Sequence, residues 1–226
     1  MVSMRPTVFL FDIDGTLIDH DGAERVAVEI LRRKLGLAEP PEAFLVRWHV
    51  VLERHYDRYL AGELTIQGQR RERFREAVDA SLTDEAADRL SDAYLADYLA
   101  VCQPYPDVAP CLSELAAYPK GVISNGERSQ QQYKLERAGI AGCFGPLILS
   151  AECGMAKPSR GIFELACREM GAAPSEAVYV GDRRDIDAEA AQSAGLRGVW
   201  LDRAGMGGAG IPQIRTLAEL PALIHR

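Results

Sequence analysis

Thr7-Val8-Phe9-Leu10-Phe11-Asp12-Ile13-Asp14-Gly15-Thr16-Leu17 decides how this chain is read. Residues 7–13 carry a continuous apolar run of β-formers, the pattern of a strand buried on both faces, and Asp14-Gly15-Thr16 breaks it. Asp12 and Asp14 stand two residues apart at the end of that strand and can share one face. Gly15 lets the backbone turn tightly behind them. An aspartate can attack phosphorus as a nucleophile, and a neighbouring carboxyl can protonate the leaving alkoxide and then activate water. Asp12 and Asp14 are therefore the candidate catalytic pair.

Downstream the chain changes rhythm twice. Between residues 20 and 102 apolar residues recur at helical spacing (Val26, Ile30, Leu31 and Leu35; later Leu90, Tyr94, Leu95 and Tyr98), and no strand interrupts them, which predicts four or five helices. Gly36, Pro40-Pro41, Gly62 and residues 81–84 punctuate the segment, and Thr83 or Asp84 can cap its last helix. After Tyr105-Pro106-Asp107-Val108, strands and helices alternate. Residues 121–124, 147–149, 177–180 and 198–201 read as strands, and 127–138, 161–170 and 185–194 as helices, each followed by glycine. This is the pattern of an α/β fold: a doubly wound parallel sheet, Rossmann-like, with an inserted α-helical cap. The expected division is residues 1–19 and 103–226 for the core and 20–102 for the cap. Gly205-Met206-Gly207-Gly208-Ala209-Gly210 reads as a flexible loop.

In an open parallel sheet ligands sit beyond the carboxyl ends of the strands. Four polar clusters fall there: Asp12 with Asp14, Ser124 with Asn125, Lys157, and Asp182 with Asp185 and Asp187. Each alone has a plain structural reading, as a turn, a solvated lysine or a helix cap. Together, Phe11-Asp12-Ile13-Asp14-Gly15-Thr16-Leu17, Val122-Ile123-Ser124-Asn125-Gly126, Ala156-Lys157-Pro158, and Val180-Gly181-Asp182 with Asp187 resemble, in order, the four motifs of the haloacid dehalogenase superfamily of hydrolases. The helical insertion after the first motif is what that superfamily's members with a helical cap show.

The resemblance implies an Mg²⁺-dependent phosphatase that transfers a phosphoryl group to Asp12 and then to water. It implies Mg²⁺ held by Asp12, Asp182 and the main-chain oxygen of Asp14. Ser124 and the amide of Asn125 or Gly126 would hold phosphoryl oxygens, and Lys157 would neutralise nucleophile and phosphate. Asp187 would be a further acidic residue that orients the site, and Asp185 a charge favoured at a helix start. Arg183 and Arg184 depart from the small polar residues often found there. A phosphomutase would keep the same aspartates. A 2-haloacid dehalogenase would not need Asp14, because halide leaves without a proton, and a non-enzymatic binding module would be expected to have lost one cluster.

Gly62 to Ile66 followed by Gln69-Arg70-Arg71-Glu72-Arg73-Phe74-Arg75, with Gln132 to Gly139, resembles the nucleoside-monophosphate phosphatases of the superfamily, which makes Arg70 and Arg71 candidate specificity residues. The expected partner is a small phosphorylated metabolite, a nucleoside monophosphate or a sugar phosphate. The net charge of −7 and pI near 5.2 leave no global basic surface for nucleic acid or an anionic membrane. The cysteines are five and form no C-x-x-C pair, which argues against a disulfide framework or structural zinc. No signal segment or membrane-length apolar stretch is read, so the expectation is a cytoplasmic monomer or homodimer.

Overall fold

The computed structural model describes residues 7–224. Among them, six parallel strands form one sheet: β1 (Val8–Phe11), β2 (Lys120–Ser124), β3 (Leu147–Leu149), β4 (Ala177–Gly181), β5 (Arg197–Leu201) and β6 (Gln213–Ile214). The order is β3-β2-β1-β4-β5-β6, so the winding reverses between β1 and β4, where open α/β sheets place their ligands. β1 pairs with both: Phe11 stands opposite Val122 on β2 and Val180 on β4.

Every residue of β1, β2 and β4 is buried, because helices cover both faces. Val8 and Leu10 belong to a core with Ile123, Phe163, Tyr179 and Ala191. Phe9 and Phe11 point the other way and pack edge-on against Tyr118 and Phe144, with centroids 5.1 and 6.1 Å apart. The apolar run thus supplies two half-cores from one strand.

The chain divides into two compact units, Asp21–Cys102 and the chain on either side of it. The inserted unit is built from α1 (His20–Lys34), α2 (Pro41–Leu60), α3 (Ile66–Ala77) and α4 (Asp84–Val101). Thr65 and Thr83 cap α3 and α4 by accepting from the amides of Gly68 and Ala86. Trp48 is its central side chain, fully buried and packed on Phe44, Phe74 and Tyr94. Its indole N–H donates to Glu24, which is itself buried.

In the other unit the helices are α5 (Val108–Glu114), α6 (Arg128–Arg137), α7 (Ser150–Cys153), α8 (Arg160–Glu169), α9 (Ala190–Ser193) and α10 (Leu220–Ile224). The outgoing and returning segments at its boundary are bonded together: the amide of Asp19 donates to Gln103 O at 2.9 Å, and that of Tyr105 to Leu17 O at 3.1 Å.

Five features depart from the sequence reading. The helix expected over 185–194 is a π-helical stretch, Arg184–Glu189, that runs into the short α9. At its start Asp187 Oδ2 accepts from the amide of Arg183 at 3.0 Å, a donor that has no partner inside the helix. α5, α7, α10 and β6 were not expected from the sequence; none is longer than the seven residues of α5, too short to show a period.

Candidate active site

β1 delivers Asp12 just beyond its last residue, and the Asp12 amide is pinned to Val180 O at 2.9 Å. β2 ends in Ser124, and Asp182 follows the last residue of β4. These strand ends converge on Lys157, whose side chain is 3% exposed. Its ammonium donates to Asp12 Oδ1 at 2.5 Å, Asp187 Oδ1 at 2.6 Å and the Tyr179 hydroxyl at 2.9 Å. A buried ammonium is costly unless paired, and here every proton has an acceptor. Burial opposes its charge, but the carboxylates of Asp12 and Asp187 outweigh burial and hold Lys157 well above the usual lysine range.

Asn125 sets this lysine from the main chain. Its side-chain amide donates to Lys157 O at 2.9 Å while its carbonyl accepts from the Lys157 amide at 2.7 Å. The Asn125 side chain therefore positions Lys157, and among the groups of Asn125 the backbone N–H is the one suited to a phosphoryl oxygen. Ser124 is buried, and its hydroxyl accepts from Gln131 Nε2 at 3.0 Å.

Carboxylate oxygens of Asp12, Asp182 and Asp187 lie within 4.8 Å of one another. Burial, with Asp187 and Asp14 adding to it against the pull of Lys157, raises the Asp12 carboxyl to about 7. Burial and the neighbouring Asp12 and Asp187 likewise push Asp182 well above the carboxylate range. Crowded, dry carboxylates that resist ionising are what a hard divalent cation relieves, and all the donors are oxygen, so the residues fit Mg²⁺. Asp187 is the least suited to ligate. Its Oδ1 takes both Lys157 and the Tyr179 hydroxyl, the latter at 2.9 Å, and its Oδ2 takes the Arg183 amide at 3.0 Å. It holds Lys157 in place instead.

The backbone at Gly15 adopts φ 82°, and a Cβ there would lie 2.3 Å from Asp182 Oδ2. Only glycine lets the loop turn this close to the acidic cluster. Thr16 adds a weak hydroxyl contact to Asp182 Oδ1 at 3.4 Å. Asp14 faces α6: its Oδ1 accepts from Lys134 at 2.6 Å and its Oδ2 from Gln131 at 2.9 Å. Burial alone would raise its pKa; Lys134, His20 and these hydrogen bonds outweigh burial and hold Asp14 below the usual carboxylate range.

The sequence reading missed Gln131, Lys134 and Tyr179. Tyr179 could have been suspected as the polar residue in the otherwise apolar β4; Gln131 and Lys134 gave no signal in a charged helix. Asp185 is exposed, near Arg183 at 3.8 Å. Arg184 pairs with Glu189 and lies over Trp200, which ties it to the protein surface. In the inserted unit Arg71 pairs with Asp84 and Asp88 and so ties α3 to α4. Arg70 lies on the same helix, half-buried. Arg73, 8% exposed, stacks over Trp48 at 4.9 Å, and its Nε has no hydrogen-bond acceptor among the described residues.

Fold and site place the chain among α/β enzymes that gather carboxylates and a lysine at the switch point of a doubly wound sheet. A sequence profile of the haloacid dehalogenase-like hydrolases matches residues 6–195, and the chain belongs to that family. It is 32% identical to the phosphoserine phosphatase of Thermus thermophilus, over 87% of this chain and 88% of that one. It is 34% identical to the pyrimidine 5'-nucleotidase YjjG of Escherichia coli, over 50% of this chain and 52% of that one. The magnesium-bound hydrolase YfnB of Bacillus subtilis superposes with a TM-score of 0.88, covering 99% of this chain and all of that one, at 20% identity, and shares the fold. Among the described residues no helix is long and apolar enough to cross a membrane.

Proposed function

We propose that this protein is an Mg²⁺-dependent phosphomonoesterase that works through an aspartyl phosphate on Asp12. One observation carries the reading: a carboxylate beyond the central strand is bonded to a buried lysine at 2.5 Å and stands within 4.8 Å of two further carboxylates. Asp12, Asp182 and the main-chain oxygen of Asp14 would hold the cation, which when bound offsets repulsion between carboxylate and phosphate.

Asp12 attacks phosphorus, and the bond from phosphorus to the ester oxygen breaks. Asp14 passes a proton to the leaving alkoxide, one it must take up as the phosphate binds because Lys134 holds it ionised in the free enzyme. Ser124 and the Asn125 amide hold phosphoryl oxygens, and Lys157 carries the counter-charge. Asp14, now ionised, takes a proton from the water that cleaves the acyl phosphate. The ion pair from Lys134 to Asp14 favours that ionised form, which is the state of the second half-reaction.

The substrate is a small phosphorylated metabolite. The likeness of the Arg70 segment to nucleotidase caps supports a nucleoside monophosphate, with sugar phosphates next. The longer match to a phosphoserine phosphatase brings phosphorylated amino acids into the same screen. Five free cysteines support a reducing cytoplasm as the site of action. The test is a phosphatase screen over these three classes with Mg²⁺, followed by acid quench of a ³²P-labelled substrate. Label trapped on wild-type protein and absent from Asp12→Asn is expected; turnover by Asp12→Asn would end the covalent mechanism.

A further inference from the structure

The loop that carries Asp14 is gripped from behind by one side chain far along the chain. Arg203 follows β5 and is 21% exposed at its side chain. Its Nε donates to Gly15 O at 3.2 Å and its Nη2 to Thr16 O at 2.9 Å. The same guanidinium bonds both oxygens of Asp107, at 2.9 and 3.1 Å. Its carbon sits 3.7 Å over the centre of the Tyr105 ring. Asp107 is fixed in turn by the Thr216 hydroxyl at 2.6 Å and the Leu217 amide at 2.9 Å.

We propose that Arg203 is a positioning residue for the reaction: it holds the Gly15 and Thr16 carbonyls so that Asp14 and Asp182 keep their working places. This rests on the phosphatase reading above. Gly15 lies between Arg203, which takes its carbonyl, and the Asp182 carboxylate, which leaves no room for a Cβ. Slack on the Arg203 side therefore lets Gly15 withdraw from Asp182 and carries the adjoining Asp14 with it. The task needs arginine. A planar fork can give two bonds to main-chain carbonyls and two to a carboxylate while its face stacks on a ring; a lysine ammonium cannot reach all of these at once. A purely structural clamp would have no cause to end on the two residues after Asp14.

The experiment compares wild type, Arg203→Ala, Arg203→Lys and, as a control, Arg197→Ala, which loses a part-buried bond to Leu223 O away from the Asp12 loop. With p-nitrophenyl phosphate and Mg²⁺, kcat of Arg203→Ala should fall about 10–100-fold with little change in KM, since an ångström of misplacement costs roughly 10²-fold. Arg203→Lys should fall nearly as far, and Arg197→Ala should match wild type. Millimolar guanidinium should restore part of the Arg203→Ala loss and none of the loss in Asp12→Asn. Amide hydrogen exchange, read without substrate, should quicken in the peptide spanning residues 13–18 of Arg203→Ala while β4 stays protected. Unchanged exchange in that peptide, or full kcat in Arg203→Lys, would overturn the positioning role even in an active phosphatase. A wild type inert toward every phosphate ester would overturn the phosphatase reading instead, while the exchange result still decides whether Arg203 holds the loop.

Discussion

At the scale of single residues, the site depends on which carboxylate is ionised. Asp12→Asn should abolish turnover, because an amide neither attacks phosphorus nor ligates well. Asp14→Asn should keep Mg²⁺ binding, since its main-chain oxygen survives, yet lower kcat by about 10²–10⁴-fold, as loss of an acid–base group does. Lys134→Met removes the strongest partner of Asp14, so its pKa rises and the ionised form is lost at higher pH than in wild type. The acid limb of the kcat profile should shift upward, and an unmoved limb would show that Asp14 is not the titrating group. Asp12 and Asp182 were legible in the sequence because each directly follows a strand, whereas Lys157, which lies beyond α7 and not at the end of β3, was legible only through the resemblance of Ala156-Lys157-Pro158. Gln131, Lys134 and Tyr179 were not, since what sets their role is which neighbour they face after folding. Asn125 was expected near phosphate, and its side chain proves to be occupied with the main chain of Lys157.

At the scale of elements, alternating strands and glycine-closed helices made the core readable, while α5, β6 and the π-helical stretch lay below what periodicity can resolve. The inserted helices show the limit of composition more sharply. The arginines of α3 look alike in sequence, but Arg71 is committed to Asp84 and Asp88 and Arg73 lies flat on Trp48. Arg71→Ala should therefore lower the melting temperature only slightly and leave substrate preference unchanged, and Arg70→Ala is the sharper test of that preference. The comparison is between a natural ester and p-nitrophenyl phosphate; equal loss on both would remove Arg70 from specificity. Trp48→Ala empties the centre of the unit and should cost about 3–5 kcal/mol, measured by urea unfolding. A cost under 1 kcal/mol would mean that Trp48 is not the keystone of the packing.

For the molecule as a whole, the acidic cluster makes stability answer to pH and metal together. The Asp12 pKa is raised from 3.8 to about 7, so its contribution to stability is complete below pH 4 and is lost as pH climbs through 7. Without metal, the melting temperature should fall between about pH 5 and 8. A divalent cation needs the ionised form, so the stabilisation by Mg²⁺ should grow over the same interval. Thermal melts with EDTA and with Mg²⁺ across that range check both signs; a gain independent of pH would show that the cation binds elsewhere. Chelator should also remove catalytic activity and Mg²⁺ restore it.

The sheet order has a further consequence, for the newly made chain. β1 is synthesised first, yet its two neighbours begin at Lys120 and Ala177. At ribosomal speeds of about 5–20 residues per second, this wholly apolar strand waits on the order of 10 s for its second partner. The inserted unit closes its contacts within residues 21–102, with Glu24 meeting Tyr94 and Lys34 meeting Asp97, and so can fold during that delay. The hazard in biosynthesis is therefore concentrated in β1. Nascent chains arrested before β4 has emerged should show a protected 21–102 segment and a chaperone-accessible β1; chains arrested after it should lose that accessibility. A β1 already protected before β4 has emerged would mean that pairing with β2 alone suffices to shelter it.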